Sequence, residues 1–317
     1  MRYGPAILIL LLAPLLRHPA LAADFPDKGN PATATSRSLT TADGRRDYLV
    51  QPLASPGRHP VVVLLHGGTQ DARRIWKQTS LATLGKAEGF ILVAPDGIDG
   101  HWNDGRGSTI AGDAPSTADD IGFIKAVIAD VIARDGGDAA HVYLAGVSNG
   151  GFMAMHFACD AAEVLAAGAN LISNLPTEEA KTCRPRKPLP WLSLNGTSDA
   201  IIPFEGQPAG TKKRGELQPE LLSADATFAF FADKAGCAPA VTTQRLPDID
   251  RKDGSWPELR ERAGCAGGME SLQYVMHDSG HITPGLKVGP VIARFLGGTN
   301  MDVDTGTLLW NFFRTVR

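Results

Sequence analysis

The chain has 317 residues, 43% of them hydrophobic and 21% charged, with a formal net charge of -3 at neutral pH. That length and apolar content suit one globular domain with a sizeable core and exclude a fibrous or disordered chain. The near-balanced charge offers no electrostatic case for nucleic acid as a partner.

Residues 1–22 read as an export signal. Arg2 supplies a positive start, residues 6–16 an apolar core, and Ala20-Leu21-Ala22 a small-residue cleavage site. The apolar run is too short to span a bilayer, so no stable membrane insertion is expected. Residues 23–44 are polar and rich in Pro and Thr, and read as a flexible leader; residues 45–317 read as a single domain. Within it, residues 46–50 are an edge strand and 60–65 a continuous apolar run, the pattern of a parallel strand buried on both faces. The spacing predicts a helix over 72–88, then a buried strand over 90–94 that Pro95 stops. Asp119 and Asp120 open a helix reaching about 133, with Ile124, Val127 and Val131 inward. A strand over 141–145 and a helix after residue 148 follow. The segment 164–172 passes from helix to strand, and 191–195 is another strand. A helix over 224–235, a strand over 271–276, a helix over 288–295 and a packed terminal helix within 301–317 complete the chain. Alternating strand and helix predicts a mostly parallel sheet with helices on both faces and a site at the strands' carboxyl ends.

Gly146-Val147-Ser148-Asn149-Gly150 lies between the strand over 141–145 and an apolar helical pattern of Phe152, Met155, His156 and Cys159. Strand, sharp Gly-x-Ser-x-Gly turn and helix form the context of a nucleophile elbow. Ser148 is the candidate nucleophile. Its partners should follow in the order acid, histidine, each on a loop after a later strand. Asp199 follows the strand over 191–195 and His281 the strand over 271–276, so they are the candidate acid and base; His277, still at its strand end, is the lesser candidate base. An oxyanion hole needs the backbone N–H of Asn149 and a second from the His66-Gly67-Gly68-Thr69 turn, with Gly68 and Thr69 both open as donors. His66 precedes the serine and reads as structural.

These residues together resemble the esterase and polyhydroxybutyrate depolymerase family, whose relatives include feruloyl and acetylxylan esterases. The resemblance rests on Leu65-His66-Gly67-Gly68, Ala94-Pro95-Asp96-Gly97, Trp102-Asn103, Asp119-Asp120-Ile121-Gly122-Phe123-Ile124, Gly146-Val147-Ser148-Asn149-Gly150-Gly151 and Gly196-Thr197-Ser198-Asp199. It covers residues from about 45 to 300, and implies an α/β-hydrolase fold, a Ser148–Asp199–His281 triad and no cofactor. The histidine loop departs from the family's Gly-Gly-Gly-His-Thr-Trp-Pro-Gly: here Thr283 stands at the tryptophan position.

The four cysteines suit an exported chain and allow three pairings, of which Cys159 with Cys183 and Cys237 with Cys265 are expected. The second pair brackets the least regular stretch, which carries Asp248, Asp250, Asp253 and Trp256. No Cys-x-x-Cys or His-Glu-x-x-His spacing suggests a metal. The loop over 97–117 should overhang the site, with Trp102 and Asn103 as candidate substrate contacts. Residues 207–219, with Lys212, Lys213 and Arg214, read as a solvated insertion without function. The expected activity is hydrolysis of small or oligomeric carboxylic esters, such as hydroxyalkanoate oligomers and feruloyl or acetyl sugar esters. The chain ends soon after its last predicted helix, with no surface-binding module, so solid polyester is expected to be a poor substrate. A secreted peptidase of the same fold would be expected to carry an extra domain restricting access, for which the chain leaves no room. A non-catalytic binding protein would be expected to lose a triad member, whereas all three positions are filled; the esterase is favoured over both.

Overall fold

A computed structural model describes residues 25–107, 116–213 and 215–316. The expected export signal, part of the loop over 97–117, and Arg214 lie outside the described residues.

The strands are β1 (Thr35–Thr41), β2 (Gly44–Gln51), β3 (His59–Leu65), β4 (Ile91–Pro95), β5 (Gly137–Val147), β6 (Ala167–Leu171), β7 (Trp191–Gly196), the short hairpin β8 (Lys212–Lys213) and β9 (Glu216–Leu217), β10 (Thr242–Arg245), β11 (Trp256–Arg262) and β12 (Ser271–His277). The helices are α1 (Ala72–Gln78), α2 (Leu81–Glu88), α3 (Asp120–Asp135), α4 (Asn149–Ala161), α5 (Thr177–Thr182), α6 (Ala224–Lys234), α7 (Pro290–Leu296) and α8 (Thr305–Phe313). Ten strands form one sheet in the order β1-β2-β4-β3-β5-β6-β7-β12-β11-β10. The run from β4 to β12 is parallel, and antiparallel strands close both edges.

The period-2 alternation of side chains explains why strands covered on both faces carry continuous apolar runs, such as residues 61–65 of β3 and 91–94 of β4. Val62 and Leu64 of β3 face a core shared with α1, α2 and α8, whereas Val61, Val63 and Leu65 face one shared with α3, α4 and Phe231 of α6. Helices on both faces bury the carboxyl-terminal halves of the central strands completely, residues 61–65 of β3 and 142–147 of β5 among them. This is an α/β-hydrolase fold, and Ser148, Asp199 and His281 each follow the carboxyl end of a parallel strand, β5, β7 and β12.

Three local expectations need correction. Residues 35–41 are not part of a loose leader: β1 pairs with β2 along its whole length, from Thr35 opposite Val50 to Thr41 opposite Gly44. Its Ser and Thr side chains suit a half-exposed edge strand, so polarity was a poor guide to order. The helix expected over 72–88 is two helices. Thr79 is extended, at φ -124° and ψ 161°, and the buried Ser80 donates its hydroxyl to Asp304, the N-cap of α8. The start of α8 thus occupies the break. Finally, the stretch between Cys237 and Cys265 contains β10 and β11. β11 hides its alternation because the buried positions hold Pro257 and Arg262 as well as Leu259, while Trp256 is only half-buried.

The cysteines pair as Cys159–Cys183 and Cys237–Cys265. The first bridge ties α4 to the end of α5 across 24 residues. In the chain-entropy picture such a closure stabilises the fold by about 3 kcal/mol. Replacing both Cys159 and Cys183 with Ser is expected to lower the unfolding free energy in urea by about that amount, and an unchanged midpoint would contradict it.

Candidate active site

β5 runs into Ser148, whose backbone sits at φ 53° and ψ -115°, and α4 begins at the next residue. The amide of Ser148 is held by the carbonyl of Leu171 at the end of β6, at 2.9 Å. No side chain could be added beside this turn. A Cβ on Gly146 would lie 1.9 Å from the carbonyl oxygen of Gly150, and one on Gly150 would lie 2.5 Å from the carbonyl oxygens of Leu65 and His66. The two glycines let strand, turn and helix close together, and the serine is left as the N-cap of α4 without capping it.

Asp199 lies just after β7 and is 6% exposed. Its Oδ1 accepts the backbone N–H groups of Ile201 and Ile202, each at 2.8 Å, which leaves Oδ2 to face His281 at 2.7 Å. A carboxylate only accepts, so Nδ1 of His281 carries the proton and Nε2 is free to accept. Nε2 lies 2.9 Å from Oγ of Ser148. The His281 N–H donates to the carbonyl of Leu296 at 2.7 Å, anchoring the imidazole loop to the end of α7. The structure therefore brings Ser148, Asp199 and His281 into one hydrogen-bonded chain. His277 is elsewhere: its ring stacks on Trp256 at 3.7 Å between centroids and faces Glu258 at 3.4 Å.

The turn after β3 lies against the start of α4. Gly67 is beside Ser148 and Gly68 beside Asn149, since a Cβ on either glycine would lie 3.6 Å from the Cβ of that neighbour. His66 is buried, and its Nε2 accepts the N–H of Gly97 at 2.9 Å. Nδ1 must then hold the proton, which it donates to the carbonyl of Gly67 at 2.8 Å. In a trans peptide the N–H points opposite to the C=O, so this bond turns the Gly68 N–H away from the ring. Thr69 is in the left-handed region at φ 60°, with its hydroxyl bonded to the Gly68 carbonyl at 2.7 Å.

Trp102 and Asn103, the expected substrate contacts, are bonded as loop anchors. Trp102 is 2% exposed, donates Nε1–H to the carbonyl of His66 at 2.9 Å, and lies over the His66 ring at 4.8 Å. Its backbone N–H donates to Oδ1 of Asn149 at 2.9 Å. Asn103 donates its N–H to Asp120 at 2.6 Å and its side-chain amide to the Ala118 carbonyl at 2.9 Å. An aromatic in a glycine-rich loop near a site is as useful for pinning the loop as for binding, and only the contacts tell which. Sequence reasoning also missed Asp104 and Arg106. Arg106 pairs with Asp104 at 2.5 Å, both side chains nearly fully buried, while Asn149 donates its amide to the same carboxylate. The insertion after the acid is not free in solvent either, because Lys213 donates to the Ile201 carbonyl at 2.5 Å, beside Asp199. Burial holds its ammonium below the usual lysine range.

Among the described residues no group of three or more His, Cys, Asp or Glu side chains is arranged to hold a metal ion. The chain belongs to the alpha/beta hydrolase family, whose model matches residues 62–293. It is 27% identical over 292 residues to NocK of Nocardia uniformis subsp. tsuyamanensis, which carries an esterase name assigned by inference; the match covers 89% of this chain and 83% of that one. It is also 27% identical over 238 residues to feruloyl esterase B of Piromyces equi, covering 73% of this chain but 40% of that longer protein. The solved acetyl xylan esterase of Aspergillus awamori superposes with a TM-score of 0.52 at 14% identity, over 83% of this chain and 99% of that one. That likeness concerns the fold.

Burial lowers the pKa of His66 from 6.5 to about 4. The depressed value means that the neutral ring is fully compatible with the fold above pH 6.5. Stability is lost as the pH falls from there towards 4, since only the unfolded chain takes up the proton readily. A His66→Asn variant, which cannot titrate, should show a shallower fall in unfolding free energy between pH 7 and 4.5 than the parent. Identical slopes would contradict this role.

Proposed function

We propose that the protein is an exported serine carboxylic-ester hydrolase acting on small or oligomeric esters, among them hydroxyalkanoate oligomers and acetylated or feruloylated sugars. The observation that carries the reading is the Ser148–His281–Asp199 chain at 2.9 and 2.7 Å on a strand–turn–helix elbow. In this mechanism Nε2 of His281 takes the hydroxyl proton as Oγ of Ser148 bonds to the ester carbonyl carbon. The Asp199 carboxylate stabilises the resulting imidazolium. The oxyanion is received by the backbone N–H groups of Asn149 and Gly68; of the two donors open from sequence, Gly68 is supported by the His66–Gly67 bond. The C–O bond then breaks, His281 returns its proton to the leaving alcohol, and water cleaves the acyl-enzyme through the same base.

The names of the two curated relatives support an ester substrate class. Export through residues 1–22 is supported by the two disulfides, which persist in oxidising compartments. No helix among the described residues is long and apolar enough to cross a membrane. The family's aromatic wall has no counterpart at Thr283, which is buried, so large aromatic acids gain no stacking contact there.

Ser148→Ala should lower kcat/KM for nitrophenyl butyrate by about a thousandfold or more while leaving the thermal unfolding profile intact. A fluorophosphonate probe should label the parent and not the variant. Near-normal turnover by the variant would overturn the proposal.

A further inference from the structure

The acid-rich loop between β10 and β11 has a structural use for its carboxylates. Asp302, fully buried, accepts the backbone N–H groups of Ile249 at 2.6 Å and Asp250 at 2.8 Å. Its other oxygen accepts the Asn300 amide at 2.7 Å. Asp253 accepts the N–H groups of Ser255 at 2.8 Å and Met301 at 2.6 Å. Asp250 accepts the N–H of Lys252 at 3.2 Å. These carboxylates hold backbone, and the rigid tip they support presents Arg251 and Lys252, both exposed.

That tip forms one wall of a cavity of about 910 Å3, whose other walls bring Lys28, Lys77 and Lys287. Five cations face it against two carboxylates, Asp27 and Asp250. Lys28 is paired with Asp304 at 2.5 Å. Lys77, Arg251, Lys252 and Lys287 have no carboxylate within 4.0 Å among the described residues. Arg251 also lines an adjoining cavity of about 690 Å3 together with Arg245. Asp248 lines that second cavity too, so the two together carry six cations against three carboxylates, an excess of positive charge on a chain whose net charge is -3. Gathering like charges without partners is unfavourable, and a multivalent anion would relieve it. Phe25 and Leu286 add apolar surface to the larger cavity, suited to the face of a sugar ring.

The two cavities lie at the catalytic end of the sheet. β11 begins with Trp256 opposite His277, so the loop before it sits beyond the carboxyl end of β12, and Lys287 is on the same loop as His281. None of the residues lining either cavity belongs to the Ser148 site.

We infer that this groove is a binding site for a linear polyanionic glycan, whose carboxylate or sulfate groups pair with Lys77, Lys287, Arg251 and Lys252. The inference does not depend on the esterase reading. Calorimetric titration of the protein at low salt would use hexagalacturonate, a heparin hexasaccharide, neutral xylohexaose and an oligo-dT of similar charge. At least one acidic oligosaccharide should bind, more weakly as salt rises, and xylohexaose should not. The heparin and galacturonate arms distinguish sulfate from carboxylate recognition. The double variant Arg251→Glu, Lys252→Glu should lose at least tenfold in affinity, with nitrophenyl butyrate turnover and thermal stability unchanged; Arg251→Lys should retain most of the binding. The inference fails if neither acidic glycan binds, if the charge-reversed variant binds as the parent does, or if oligo-dT binds as tightly as the glycans.

Discussion

Ser148 is held in a backbone conformation that L-residues rarely adopt, at φ 53° and ψ -115°, and the rest of the site is arranged around that strain. A residue in this conformation persists only where its surroundings leave no alternative. Here β5 fixes the chain before the serine, α4 fixes it after, and the Leu171 carbonyl holds its amide. Gly146 and Gly150 let strand and helix approach so closely that a Cβ on either would collide with backbone. The hydroxyl is thereby aimed out of the sheet towards His281, and the cost of the turn is offset by the burial of α4 against β3, β5 and β6.

A second feature is that each partner of Ser148 is positioned by backbone hydrogen bonds, local for the acid and from a later helix for the histidine. Asp199 is oriented by two amides of its own turn, and His281 by the carbonyl at the end of α7. The close approach of Gly280 to Leu296, and of Gly297 to Ser198, packs the histidine loop, α7 and the acid loop against one another. Movement of one is thus coupled to the others by steric contact. Preorganisation of this kind is what a developing charge requires, since little remains to reorganise when it forms.

The third is the layer beneath the site. His66, Trp102, Asn149 and Asp104 form a buried set tied together by hydrogen bonds between the loops after β3 and β4 and the start of α4. Burial keeps the His66 ring neutral, so its two nitrogens retain opposite roles, accepting from Gly97 and donating to Gly67. The Asp119-Asp120 pair is explained in the same way: Asp119 caps α3, while Asp120 turns inward to a buried ion pair with Arg46 at 2.6 Å. Residues that look chemical in sequence are here the framework of the loops.

The α/β order, the buried central strands and the candidacy of Ser148, Asp199 and His281, which the fold brings within hydrogen-bond reach, were legible from sequence because they rest on local rules. Apolar runs bounded by Gly and Pro mark strands, and a Gly-x-Ser-x-Gly turn between strand and helix has few other uses. What local rules cannot supply is the partner of a polar group. Trp102 and Asn103 could equally have faced substrate or sheet, and only the carbonyls of His66 and Ala118 decided it. β1 looked like leader because edge strands carry the same Ser and Thr as loops, and its identity depends on having β2 beside it. The break between α1 and α2 comes from the N-terminus of α8, more than 200 residues away, packing on Ser80. Periodicity reports which face of an element is apolar; which group completes a hydrogen bond or fills a gap is set by chain segments far apart in sequence, and is decided only when the sheet brings them together.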